Sequence, residues 1–125
     1  MKVKCIRLLD SAGREVEHSV WLALGQTYNV LSIFIDHDGK RSYAIVSHER
    51  EGEWPSMVSH QAECFEIVST VVPSNWRTWI HNSSAIGISP VAWQDPSFNE
   101  GFFEHDPAIY PIFVREREIM LREDP

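Results

Sequence analysis

The stretch from Phe102 to Leu121 constrains this chain more than any other. Asp106-Pro107 reads as a helix start, a carboxylate acceptor at the N-cap with proline at the first helical position. At about 100° per residue, Ile109, Ile112, Phe113, Ile119 and Met120 fall on one arc of the helix that follows. That arc is an apolar stripe of core-facing period. Glu116 lies in its middle, a carboxylate where a methyl group is expected. An unpaired charge buried there would be disfavoured by several kcal/mol, so Glu116 should accept hydrogen bonds from an indole N–H, a backbone amide or an arginine. Trp76 and Arg77 are the first expected partners. Tyr110, Val114 and Leu121 form a second flank. The two flanks are wider than one packing surface needs, so the helix is expected in a groove, the alternative being contact with another chain. Pro111 removes an amide donor, which should delay the regular helix by a few residues.

What precedes this helix reads as strands and turns. Lys2–Leu9 is a strand ended by the turn-rich 10–14 cluster. Val16–Leu24 alternates Val20, Leu22 and Leu24 against Trp21 and Ala23. Thr27–Ile35 is the longest β-branched and aromatic run, apolar on both faces, as a covered central strand would be. Asp38-Gly39 marks a hairpin into Arg41–Ser47. Met57–Glu63 is ambiguous, and Glu63–Thr70, Trp76–His81 and Ala85–Ile88 read as further strands. Trp76 and Trp79 have opposite parities, so at most one can face the core. Val91–Gly101 reads as irregular, pinned by Trp93, Pro96 and Phe98. The expected fold is one α+β domain over residues 1–125. It comprises a bent antiparallel sheet or small SH3-like barrel over about 2–88, an irregular segment 89–105, and one C-terminal helix over about 107–121.

No apolar run approaches the ~20 residues of a transmembrane helix, and the opening Met1-Lys2-Val3-Lys4-Cys5 lacks a signal-peptide core, so a cytoplasmic location and no membrane partner are expected. Cys5 and Cys64 sit in apolar contexts and read as buried, inert thiols. The formal charge is −7, and residues 95–125 carry eight carboxylates against three arginines. Nucleic-acid binding requires clustered Lys and Arg, so it is disfavoured, and a cationic partner suits this field better.

Six histidines raise a metal hypothesis. No Cys/His pairs repeat at ligand spacing, and Asp36-His37-Asp38 reads as a solvated turn, so no metal and no other cofactor is expected. His60 with Cys64 resembles a nucleophile and base only by proximity in sequence. No nucleophile elbow or Gly-rich phosphate loop accompanies it, and no catalytic residue or enzymatic activity is expected. The residues that read as partner-binding are acidic and aromatic: Glu49, Glu51, Glu53 and Trp54 in one polar loop, and Asp95, Glu100, Glu104 and Asp106 ahead of the helix.

Three clusters carry a resemblance: Leu24-Gly25-x-x-Tyr28-x-Val30-Leu31, then Phe65-Glu66-Ile67-Val68-Ser69 with Pro73-Ser74-Asn75-Trp76, and finally Gly101-Phe102-Phe103-Glu104-x-Asp106-Pro107 with Phe113-x-x-Glu116. Together they resemble small bacterial immunity-type proteins, the partners of secreted or contact-delivered toxins. The resemblance implies an SH3-like sheet with a C-terminal helix and a toxin-neutralising role. It brings no catalytic residues. The expected function is therefore inhibition of a basic toxin domain, such as a nuclease, by a chain that is a monomer or weak dimer when free. The alternative is a homo-oligomeric or scaffold module using Tyr110, Val114 and Leu121, or Trp54, as a self-contact. A ligand-binding barrel is a third option, for which no convergent polar pocket is legible in the sequence.

Overall fold

The computed structural model describes all of residues 1–125. Eight strands run in chain order as β1 (Lys2–Cys5), β2 (Thr27–Asn29), β3 (Ser32–Ile35), β4 (Arg41–His48), β5 (Ser56–Gln61), β6 (Phe65–Ser69), β7 (Trp76–Ile80) and β8 (Ile86–Pro90). Two helices follow, α1 (Pro96–Phe103) and α2 (Tyr110–Glu123). All pairings are antiparallel, in a three-stranded sheet of order β2-β1-β6 and a five-stranded sheet of order β5-β4-β3-β8-β7. The α+β class, the antiparallel sheets and the C-terminal helix are as the sequence predicts.

The expected single strand over 27–35 is divided. The Val30 amide donates to Met1 in one sheet (3.0 Å), and the next amide, Leu31, donates to Ala44 in the other (2.8 Å). Both side chains are fully buried, which accounts for the two-faced apolar run: the chain crosses between sheets at a corner. β3 is nonetheless the central strand of its sheet. The Asp36–Lys40 hairpin forms as expected, with Gly39 at φ 89°.

Val16–Leu24 is a loop, not a strand, and Leu22 alone in it is buried. Side chains take its backbone groups instead of a ladder: Ser19 Oγ accepts from Trp21 and Leu22 (both 3.1 Å), and Tyr28 OH accepts from Ala23 (3.1 Å). Such local bonds compete with sheet pairing. The ambiguous 57–63 stretch supplies most of β5.

The 89–105 segment is not irregular. A 3₁₀ turn at Val91–Trp93 leads into α1, whose N-cap Asp95 accepts from the Ser97 amide (2.9 Å) with proline just inside the helix. Asp95-Pro96 is thus the working helix start, whereas Asp106-Pro107 makes only a turn in which Asp106 Oδ1 accepts from Ala108 (2.9 Å). α2 begins at Tyr110, late as Pro111 predicts, and runs to Glu123.

The core lies where the two sheets and both helices meet, with Phe98, Phe102, Phe113, Ile45 and Met120 fully enclosed. Trp93 and Phe98 pin the segment as expected, while Pro96 is exposed. Trp76 takes the core position, its Nε1–H donating to Met120 Sδ (3.3 Å). Trp79 lies on the opposite face of β7. Both cysteines are buried, which pushes their thiols upward in pKa. No helix is long and apolar enough to cross a membrane.

Candidate functional site

The loop between β4 and β5 carries three of the expected contact carboxylates, and it folds back on itself through Glu53 N–H donating to Arg50 (3.0 Å), with Gly52 at φ 79°. At its end Trp54 packs into an aromatic cluster. His105 stacks on it (4.7 Å between centroids, 10° between planes), while Tyr110 (5.2 Å) and Phe102 (5.5 Å) meet it obliquely. His105 holds φ 59°, a left-handed conformation uncommon outside glycine. Trp54 Nε1 is buried with no acceptor in the protein.

Loop and helix face each other across an open cleft of about 920 Å³. One wall is Glu49–Trp54; the other is Tyr110, Val114, Arg117, Glu118 and Leu121 of α2. The second flank of the helix is therefore the wall of a cleft rather than a flat outer face. Four carboxylates line it against two guanidiniums, leaving a net negative rim. Arg117 pairs with Glu49 (2.5 Å) and anchors the loop to α2. The ion pairs of the protein involve none of Glu51, Glu53 or Glu118. These three carboxylates are available to a cation from outside.

The expected acidic face does not form as one surface. Glu49, Glu51, Glu53 and Trp54 line the cleft. Asp95 and Asp106 are occupied locally as helix cap and turn acceptor, and Ser97 N–H and O–H hold the Asp95 carboxyl below the usual carboxylate range. Glu100 on α1 and Glu104 just past its end are exposed and contribute nothing to the cleft lining. Arg50, His105, Arg117 and Glu118 are the members that sequence reading missed. Glu118 follows Val114 by one helical turn, so extending the 110-114-121 flank by that spacing would have found it.

Glu116 is enclosed, with its side chain 12% exposed, but its partner is neither Trp76 nor Arg77. Arg115 Nε donates to Glu116 Oε2 (3.1 Å), and Arg77 turns instead to the Ser74 and Trp76 carbonyls. A neighbouring arginine satisfies the carboxylate without requiring a donor from the sheet. His37 and its flanking aspartates are exposed or half-buried in the hairpin turn, with His37 Nδ1 3.4 Å from Asp36. His60 packs edge-on against Phe65 (6.5 Å), and burial lowers its pKa. Comparison with protein-family models, with curated proteins and with solved structures gives no match for this chain.

Proposed function

We propose that this protein is an immunity-type inhibitor that binds and neutralises a cationic bacterial toxin domain. The observation that carries this reading is the cleft between the 49–54 loop and α2, where Glu51, Glu53 and Glu118 stand without internal cations beside Trp54 and Tyr110. An enzyme that acts on nucleic acid must present Lys and Arg to phosphates, so a nuclease is the toxin class whose surface this cleft best complements. Carboxylates speed the encounter through long-range attraction, while the indole and phenol supply desolvated anchors. An interface of about 1,600 Å² is ordinary for such a pair.

The proposal expects a cationic toxin domain to be encoded beside this chain, and the test is co-expression with it. The wild type should protect the cell. A variant carrying Glu51→Gln, Glu53→Gln and Glu118→Gln should protect poorly, and association of the wild type should weaken with salt. Glu100→Gln with Glu104→Gln, outside the cleft, should protect fully. Failure of the wild type to protect refutes the function. Equal protection by the cleft variant refutes the mechanism alone.

A homo-oligomeric module is the second reading, favoured by a different surface. β6 is an edge strand, and Ile67, Val68, Val71 and Val72 are exposed on and just beyond it. Unprotected apolar edges pair readily with another chain. Light scattering across a concentration series distinguishes the readings: a stable dimer lost on Val72→Lys favours self-association, and a monomer favours the heterologous partner.

A further inference from the structure

Beyond the Arg117–Glu49 ion pair the acidic cleft continues into a second concavity, of about 500 Å³. One wall is common to the two, since Arg117 and Leu121 of α2 line both. The facing wall is continuous along the chain: Val46, Ser47 and His48 line the second concavity, and Glu49–Trp54 line the first. The two are halves of one groove along α2, and the ion pair bridges it from wall to wall. Their chemistry differs. The first half carries four carboxylates. The second carries none, and its single guanidinium, Arg117, is already turned to Glu49.

The edge of this second half is apolar and open to solvent, with Val20 77% exposed and Trp21 44%. Single exposed apolar side chains are ordinary on a protein surface. These two are adjacent, border a concavity and are held in place. Ser19 Oγ accepts from the Trp21 amide (3.1 Å), and His48 Nε2 donates to the Val20 carbonyl (2.6 Å). The His48 ring lies 5.9 Å from the Trp21 indole. An aromatic side chain fixed before contact loses little further freedom when a partner covers it.

Size points the same way. The acidic cleft is lined by 13 residues, fewer than the roughly 20–30 that a stable interface draws from each side. Its neighbour is lined by 15, two of them common to both, so the whole groove presents 26, of which only Leu22 and Leu31 are buried. An isologous contact with a second copy would set acidic cleft against acidic cleft, and an anionic lipid surface would meet the same carboxylates. We propose that the whole groove, and not the acidic cleft alone, docks one basic, amphipathic segment of the partner protein. Arginine or lysine side chains of that segment enter the acidic half against Glu51, Glu53 and Glu118. An apolar side chain of the same segment seats on Trp21 and Val20 in the other half. The inference rests on the toxin-binding reading for the partner's positive charge and adds an apolar contact that the reading does not require.

Two synthetic peptides serve as probes, one with arginine and leucine spaced as on one face of a helix, the other alternating them as along a strand. At least one should bind the intact protein with micromolar affinity. It should shift the backbone amide signals of residues 20–23 together with those of 50–54 in a ¹H–¹⁵N spectrum. Trp21→Ala should weaken binding about tenfold, chiefly through faster dissociation, and leave its salt dependence intact. Glu51→Gln with Glu53→Gln and Glu118→Gln should instead slow association and flatten the salt dependence. Val20→Ser, at a more exposed side chain, repeats the first test if Trp21→Ala lowers the melting temperature. Peptides with serine in place of leucine should bind the wild type no better than the originals bind Trp21→Ala. The inference is overturned if neither peptide binds, if Trp21→Ala and Val20→Ser both bind like the wild type, or if the serine peptides bind as tightly. It is equally overturned if Trp21→Ala abolishes a dimer seen by light scattering, or attachment to phosphatidylcholine vesicles, since the patch then belongs to a second copy or to lipid. Protection in co-expression separates the two readings. A wild type that binds the peptides through both halves yet protects no cell refutes the toxin reading alone. A wild type that protects, with peptides indifferent to Trp21→Ala and Val20→Ser, refutes the extended groove alone.

Discussion

Arg117 on α2 holds Glu49 at 2.5 Å while its guanidinium lies 5.7 Å from the centre of the Phe113 ring. One side chain thus ties the acidic loop to the helix and the helix to the core. Its position also separates the acidic cleft from a smaller one beside the 19–23 loop, since Arg117 and Leu121 line both. Arg117→Ala should therefore loosen the loop more than it lowers global stability. Both partners are partly exposed, so the ion pair and the cation–π contact together contribute about 1 kcal/mol. Hydrogen exchange at residues 50–54 should accelerate while exchange in β3 and β4 stays slow. Equal acceleration in both would show that Arg117 supports the core and not the loop.

Glu116→Ala should cost less than its position suggests. The sequence places a carboxylate on an apolar stripe, for which removal would orphan a buried donor and cost roughly 1–3 kcal/mol. The donor is Arg115, whose side chain is 64% exposed and returns to water when the carboxylate is removed. The expected loss is below about 1 kcal/mol. A larger loss in urea unfolding would show that Glu116 engages a further group of the core.

These two cases show what is legible in a sequence of this kind. Position along a period was legible: Phe113 and Met120 are buried, Glu116 is enclosed, and Tyr110, Val114 and Leu121 share a flank. Partner choice was not, because an adjacent Arg115 and a distant Trp76 are equal candidates until the chain is folded. The Asp-Pro signal was chemically right and locally ambiguous, since both Asp95-Pro96 and Asp106-Pro107 satisfy it. Pro111 prevents the second from propagating directly into a helix, whereas Ser97-Phe98-Asn99 lets the first do so. The 16–24 alternation failed for a different reason. A period of two is necessary for a strand but not sufficient, and here Ser19 Oγ and the Tyr28 hydroxyl take backbone amides of the loop in place of a ladder. The acidic cleft was half legible, the loop from its composition and the opposing wall from helical spacing, but their convergence is tertiary.

Gly101 of α1 should resist substitution despite the helix around it. An added Cβ would lie 2.4 Å from Ile109 Cγ1, so the chain between α1 and α2 passes against this glycine. Alanine in a helix interior gains about 1 kcal/mol over glycine, and overpacking costs about 1–3 kcal/mol. Overpacking wins, and Gly101→Ala should lower stability by about 1 kcal/mol. Ile109→Ala should relieve the clash, so the double variant should be more stable than the sum of the single losses predicts. Strict additivity in denaturant titrations would refute the close approach.

Acid should destabilise the protein in two steps with separate origins. Burial lowers the pKa of His60 from its ordinary 6.5, so the unfolded chain takes up that proton first, and stability falls as pH drops from about 6.5 toward the folded value. Asp124 is lowered from 3.8 by the Met1 ammonium, 2.8 Å away, and further by the Ser69 hydroxyl at 2.7 Å. Its folded pKa lies below the unfolded one, so its contribution is complete above about pH 4 and is lost as pH falls through the folded value. The carboxylate bonds the first residue and β6, while the Asp124 carbonyl accepts from Asn29 of β2 (3.0 Å), so its protonation frees the end of α2 from the three-stranded sheet. Thermal melts from pH 8 to pH 3 should show a decline beginning near pH 6.5 and a steeper one below pH 4. His60→Phe should remove the upper decline and leave the lower. Asp124→Asn should lower stability at neutral pH and flatten the lower decline. If Asp124→Asn melts like the wild type at neutral pH, the bridge between the first residue and the end of the helix contributes nothing to the fold.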